Sequence, residues 1–350
     1  MDAGSIPASA SIPFAPDYDK VFRNVCDAPI KKGAVFHSYR RATARTVENA
    51  MTPKLGISLR SLARDASDID ARISEVAEYR PDSIELMCFA QDLIRDRKVL
   101  IHRAEQIRRS LDDHGIVATM HGPISLNLLD SPDHLDWHLE VGLAYIDLGV
   151  VLGITAMVIH TGYCSETDQA VLQSRYAAQR DGLKRLADYA GGHEIMIYVE
   201  NIFPFFEGAH TALPGRLAEE ILTIDHPQLF GCFDVSHAYI ACTAYGADLP
   251  NEAKQISPVA PHWHVHDSFG RPDTGLKPYT KSECLAYGMG DLHLAVGDGD
   301  LPWSSVLNSA PAISGATFNI ELNPDLWSDM PQCVTATRQL ISDAAQLKAA

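Results

Sequence analysis

The chain has 350 residues, 46% of them hydrophobic and 21% charged, and carries a formal charge of −16. That composition describes a globular protein with a large core, and no apolar run reaches the roughly 18 residues that a membrane span needs. The acidic surplus repels polyanions, so general nucleic-acid binding, which rests on Lys and Arg neutralising phosphates, is not expected. The surplus is unevenly placed: residues 1–50 hold seven basic and five acidic side chains, which leaves 22 basic against 40 acidic in the rest. The seven cysteines are scattered, without C-x-x-C spacing. They read as reduced thiols in a cytoplasmic protein.

The opening stretch, MDAGSIPASASIPFAP, is rich in Ala, Ser and Pro and lacks the charged start and continuous apolar core of a secretory signal. Residues 1–50 are expected to form a disordered extension, with a short ordered arm as the alternative. Gly4-Ser5-Ile6-Pro7 is also what part of the T-arm of a transfer-RNA gene would encode. Met51 is therefore the expected initiator, and residues 51–350 the expected catalytic domain.

From Leu55 onward one unit repeats: a short apolar run closing on a polar residue, a loop, then a longer stretch with helical spacing of apolar positions. The runs are LGISLR (55–60), SIELMCF (83–89), GIVATMHG (115–122), AMVIHTG (156–162), EIMIYVEN (194–201), FGCFDVSH (230–237), HWHVHDS (262–268) and TFNIEL (317–322). The intervening spacing predicts helices over Ser67–Tyr79, Gln91–Asp113, Pro132–Leu152, Asp168–Ala190, Pro214–Thr223 and Asp329–Leu347. Ser131 should cap the third with Pro132 at its first position, and Gly191-Gly192 should stop the fourth. Eight strand and helix units in one domain predict a (β/α)₈ TIM barrel. The stretch from Gly270 to Gly299 is long and loop-like, and loops of that length are usually functional.

A barrel of this kind builds its active site at the C-terminal strand ends. Here those ends are His121, His160, Glu200, Asp234 with His237, His264, and Glu321. A histidine at one strand end is ordinarily structural, and a lone carboxylate there commonly caps the next helix. Six consecutive ends bearing metal-competent side chains are harder to ascribe to chance. Asp291 and His293, two apart, would project to one side of an extended segment and join them. Five imidazoles and four carboxylates without a thiol suit Zn²⁺ or Mn²⁺, with Mg²⁺ and Co²⁺ as further options.

The motifs VEN (199–201), DVSH (234–237), HVHDS (264–268), DLHLAVGDG (291–299) and IEL (320–322) resemble those of the xylose-isomerase-like TIM-barrel superfamily. That superfamily includes sugar isomerases and epimerases and apurinic endonucleases of the endonuclease-four type. The resemblance covers about 55–347. In the sugar-isomerase branch it implies a metal held by Glu200, Asp234, His264 and Glu321, with the two glutamates handling the proton transfers. In the endonuclease branch it implies three Zn²⁺ ions, with His121, His160, His237, Asp291 and His293 as additional ligands. Two departures disfavour the nuclease: an apolar wall, IFPFF at 202–206, where small polar residues are the pattern, and Leu292 where an arginine stands between the Asp and His ligands.

The expected activity is therefore metal-dependent isomerisation or epimerisation of a small sugar-like substrate, through proton abstraction beside a polarised carbonyl. Phe203, Phe205, Phe206 and Trp303 would wall the pocket, and Arg271 would meet a substrate phosphate or carboxylate. The alternatives are tri-zinc phosphodiester hydrolysis at abasic DNA and a barrel subunit of a hetero-oligomeric enzyme of sugar elimination. A homo-oligomer is compatible with either catalytic reading.

Overall fold

The computed structural model describes residues 52–272 and 278–349. The expectations for residues 1–50 and for Met51 as initiator lie outside the described residues. Eight parallel strands close into a barrel: β1 (Lys54–Leu59), β2 (Ser83–Met87), β3 (Val117–His121), β4 (Ala156–His160), β5 (Met196–Glu200), β6 (Leu229–Asp234), β7 (His262–Val265) and β8 (Thr317–Ile320). Strands adjacent in sequence are adjacent in the barrel, and β8 closes on β1 with Leu55 beside Phe318 and Ile57 beside Ile320. All eight predicted runs supply a barrel strand.

The helices are α1 (Ile69–Ala77), α2 (Ile101–His114), α3 (Leu135–Leu152), α4 (Gln169–Gly191), α5 (Pro214–Ile224), α6 (Val235–Tyr245), α7 (Leu249–Ile256), α8 (Lys281–Tyr287), α9 (Trp303–Ser309) and α10 (Met330–Ala349). None is long and apolar enough to cross a membrane among the described residues.

Strand alternation sorts the side chains into two environments. Ile57, Ile84, Met120, Ile159, Val199, Phe233, Trp263 and Phe318 are fully buried and belong to one continuous apolar core. Trp263 lies edge-on to Phe233 and stacks on Phe318 at 5.0 Å. Ser58, Glu85, His121, His160, Glu200, Asp234, His264 and Asn319 neighbour them along the strands, and several of these meet across the lumen. His264 of β7 reaches Glu85 of β2, on a strand that is not its neighbour. The lumen toward the strand ends is thus lined with titratable groups rather than the branched aliphatics usual in such barrels.

Several local expectations change. The first part of the predicted Gln91–Asp113 helix is an antiparallel hairpin pairing Ile94–Arg95 with Lys98–Val99. Asp96 and Arg97 both take positive φ at its tip, which makes the tight reversal that a helix cannot contain. Ser131 provides no side-chain cap, and Pro132–His134 is a short 3₁₀ turn. Asp130 instead ties the turn together, accepting from Ser131 N at 2.7 Å and facing His134 and His138 at 3.0 and 3.1 Å. α4 does end at Gly191, but the left-handed residue that turns the chain into β5 is Glu194. The long segment after β7 holds a helix, α8, whose capping box pairs Thr280 with Glu283. That T-x-x-E spacing was legible in the sequence.

Candidate active site at the barrel mouth

β5, β6, β7 and the end of β8 bring Glu200, Asp234, His264 and Glu321 together, each buried, with one ligand atom of each lying within 4.8 Å of all the others. Glu200 and Glu321 approach the same atom, His264 Nδ1, at 3.1 Å each. Asp234 is held by local geometry: it is the N-cap of α6, and its Oδ1 accepts from His237 N at 2.7 Å. The strand therefore passes directly into a helix here rather than into a loop. Oδ2 of Asp234 remains, 2.9 Å from His266 and 3.8 Å from His264.

Around this group the imidazoles are oriented by the backbone. His121 places Nδ1 3.0 Å from Gly122 O, His237 3.2 Å from Asn201 O, and His293 2.8 Å from Glu321 O. Their Nε2 atoms face carboxylates: His121 meets Glu200 Oε2 at 3.1 Å, while His237 and His293 meet Asp291 Oδ2 at 3.1 and 2.6 Å. His160 Nε2 lies 3.4 Å from Glu200. An imidazole pinned through one nitrogen, with the other aimed at a cluster of carboxylates, is the usual disposition of a metal-ligating histidine.

Asp291 and His293 do not occupy an extended segment. His293 sits in the left-handed region, and that turn is what brings its ring onto Asp291. The returning segment is fastened by Asp267, buried beside the mouth. Its Oδ1 accepts from Ser268 N and Leu301 N at 3.0 and 3.2 Å, and its Oδ2 from Gly297 N and Trp303 Nε1 at 2.9 and 3.1 Å. Trp303 is consequently spent on this anchor and lies outside the lining of the cleft. Arg271 is likewise outside it, donating to Tyr287 O at 2.9 Å with its guanidinium 5.7 Å from the Phe269 ring. Phe205 does line the cleft, half exposed and edge-on to Tyr163 and Phe203. Among the described residues, the Arg and Lys side chains lining the cleft are Arg60 and Lys281. The cleft holds about 900 Å³, within the range common for small-molecule sites.

Charge pairing shifts the titration of these groups strongly. Burial alone would raise the Glu200 pKa, but the surrounding imidazoles, His264 foremost, hold it well below the usual carboxylate range. Glu321 is held down to about 2 in the same way, chiefly by His264 against burial. Burial lowers His293, yet Asp291 lifts it to about 9. His160 goes the other way: burial holds it down at about 4, so it is neutral with a lone pair to offer, and its Nδ1 is buried without a partner. Crowded buried carboxylates draw protons onto neighbouring imidazoles, and a divalent cation does the same work by displacing those protons. The donor set of three carboxylates and one imidazole suits such a cation.

Three participants were passed over in the sequence. Glu85 interrupts an apolar strand, and it is fully buried opposite His264. His262 and His266 flank His264 at spacing two, the strand period, so all three share one face. His266 stacks on His293 with ring centroids 4.0 Å apart.

No curated protein sequence matches the chain. Among solved structures, a D-tagatose 3-epimerase-like protein is 19% identical with a TM-score of 0.62, over 85% of this chain and 100% of that one. An L-ribulose 3-epimerase is 13% identical with a TM-score of 0.60, over 85% and 97%. The E. coli 3-keto-D-glucoside 4-epimerase is 13% identical with a TM-score of 0.57, over 83% and 99%. At these identities the likeness concerns the fold. The profile of the family described as xylose isomerase-like TIM barrel matches residues 73–333. With that match spanning most of the chain and eight parallel strands closing as the family requires, the protein belongs to the xylose isomerase-like TIM-barrel family.

Proposed function

We propose that the protein is a divalent-metal-dependent sugar isomerase or epimerase, held by Glu200, Asp234, His264 and Glu321 to one metal ion. The observation that carries this reading is the convergence of Glu200 and Glu321, which both line the cleft, on Nδ1 of the fully buried His264. An ion bound there would polarise a substrate carbonyl and acidify the adjacent C–H. One glutamate then takes the proton from that carbon on its carboxylate oxygen, and the other returns a proton to the same or the opposite face. His160, neutral and with Nε2 3.4 Å from Glu200, tunes that carboxylate. Phe205 and its aromatic neighbours shield the reacting carbon from water. The structural neighbours named as sugar 3- and 4-epimerases support the same substrate class.

The experiment is solvent exchange. Mn²⁺-loaded protein is incubated in D₂O with a panel of ketopentoses and ketohexoses, and proton NMR follows deuterium entering the carbon beside the carbonyl. The expected result is incorporation by the wild type and none by Glu200→Gln or Glu321→Gln. Cleavage of an abasic DNA duplex by the wild type but not by Glu200→Gln, with no exchange into any sugar, would overturn the proposal.

One observation favours a second reading, hydrolysis with several ions. His237, His266, Asp291 and His293 form another group with metal-ligand spacing. Within it His266 Nδ1 and Asp291 Oδ1 are both buried without hydrogen-bond partners and face each other at 4.0 Å. Elemental analysis separates the two: about one ion per chain supports the isomerase, about three the hydrolase.

A further inference from the structure

His264 is oriented differently from the other imidazoles at the mouth. His121 and His293 rest Nδ1 on a backbone carbonyl and present Nε2, and His237 does the same with its Nδ1 also 3.2 Å from Glu200. His264 is reversed: Nδ1 faces Glu200 and Glu321, and Nε2–H donates to Glu85 Oε1 at 3.1 Å. Glu85 stands across the lumen on β2, fully buried. Its Oε2 lies 2.9 Å from His262 Nε2, and the hydroxyls of Ser58 and Thr119 flank it at 3.5 Å from the strands on either side. The register sets this layer directly, since Ser58 and Thr119 are the residues beside Glu85 on β1 and β3.

A carboxylate removed this far from water is destabilising unless its partners compensate, and an apolar residue of similar volume would commonly serve stability better. Its position has a different consequence. Which nitrogen of a neutral imidazole carries the lone pair is decided by what the other nitrogen donates to, and a carboxylate partner also raises the basicity of the ring.

We propose that Glu85 is a positioning residue for the metal site: by holding Nε2–H of His264 it turns the Nδ1 lone pair toward Glu200, Asp234 and Glu321. This role rests on the reading of those four residues as metal ligands. Glu85 itself touches neither substrate nor ion. It replaces, for this one histidine, the backbone carbonyl that fixes the other three. In Glu85→Gln one neutral acceptor oxygen replaces the carboxylate, so whichever way the amide turns, the His264 ring loses the charged partner that raises its basicity.

The test is Co²⁺ titration of chelator-stripped full-length protein, followed by calorimetry and by the visible Co²⁺ spectrum. The expected result is a 10- to 100-fold weaker Kd for Glu85→Gln than for wild type, the range usual for loss of such a partner, with an altered spectrum. An unchanged Kd and spectrum would overturn the proposal, including the case where only the apo protein's urea midpoint falls. A second measurement does not need the variant to fold: ¹⁵N NMR of Zn²⁺-loaded, histidine-labelled wild type should show His264 protonated at Nε2 and metal-bound at Nδ1. The reverse assignment refutes the role. Wild type that binds neither ion would remove the metal reading itself, and the role of Glu85 with it.

Discussion

Asp267→Asn isolates the anchor that carries Asp291 and His293 over the barrel mouth. Each carboxylate oxygen accepts two N–H donors: Ser268 N and Leu301 N at Oδ1, Gly297 N and Trp303 Nε1 at Oδ2. An amide can satisfy one of these pairs whichever way it turns, and it presents NH₂ to the other. Two buried N–H groups therefore lose their acceptor, at about 1–3 kcal/mol each, which gives an expected local destabilisation of about 4 kcal/mol. Each 1.4 kcal/mol is tenfold, so amides of the 293–302 segment should exchange with solvent about a thousandfold faster. Hydrogen exchange followed by mass spectrometry measures this peptide by peptide, with the β4 and β5 peptides as internal controls. Trp303→Phe removes a single donor and leaves the carboxylate three others, so it should accelerate exchange only about tenfold. Exchange in Asp267→Asn within tenfold of wild type would refute the anchoring argument, as would equal acceleration throughout the barrel.

If the proposed metal is bound, chelation should lower Tm, and restoring the ion at about 100 times its Kd should return about 2.7 kcal/mol of stability; a Tm indifferent to metal argues against a metal bound in the native state. Gly56→Ala should destabilise by about 1–3 kcal/mol in urea unfolding, because the added methyl would stand 2.5 Å from Asn319 Oδ1; full tolerance would show that Asn319 is free to move. Asp168→Ala, which deletes the acceptor for Ala170 N and Val171 N at the start of α4, should cost about 1 kcal/mol in the same assay. Asp130→Asn tests a pH-dependent term. Burial raises the Asp130 pKa, but His138, Ser131 N–H and His134 together lower it. A depressed carboxylate contributes stability above its unfolded value of about 3.9 and loses it as pH falls through the folded value. The variant should therefore be less stable than wild type at pH 7 by about 0.5–1 kcal/mol, discounted for its partial exposure, with the difference vanishing once pH falls below the depressed folded value. A difference that persists at low pH would assign the effect to packing.

How much of this was legible in the sequence depends on how local the signal is. Apolar runs closing on polar residues marked all eight strands, because strand and helix periodicities are written in neighbouring residues. The same reading marked His121, His160, Glu200, Asp234 with His237, His264 and Glu321, since a side chain at the C-terminal end of a barrel strand has few other places to point, and the family resemblance narrowed these to Glu200, Asp234, His264 and Glu321. Local chemistry also hid some elements. The Asp96-Arg97 reversal depends on backbone angles that hydrophobic spacing does not register, and α8, though its T-x-x-E box is written in the sequence, is too short to show an apolar period.

What the sequence alone determined is the barrel and the identity of the polar strand ends, because both follow from patterns of a few residues. What only the tertiary structure decided is which of those groups meet. Glu85 and His264, 179 residues apart, touch only because closing the barrel sets β2 opposite β7. Arg271 and Trp303 are drawn off by Tyr287 and Asp267, partners that no spacing rule announces. His266 shares the face of His264 by strand alternation, yet its place between Asp234 and Asp291 depends on the return of a loop fastened by one buried carboxylate. The physical reason is the same each time: periodicity says which way a side chain points, and only the closure of the sheet and the path of the returning chain say what it finds there.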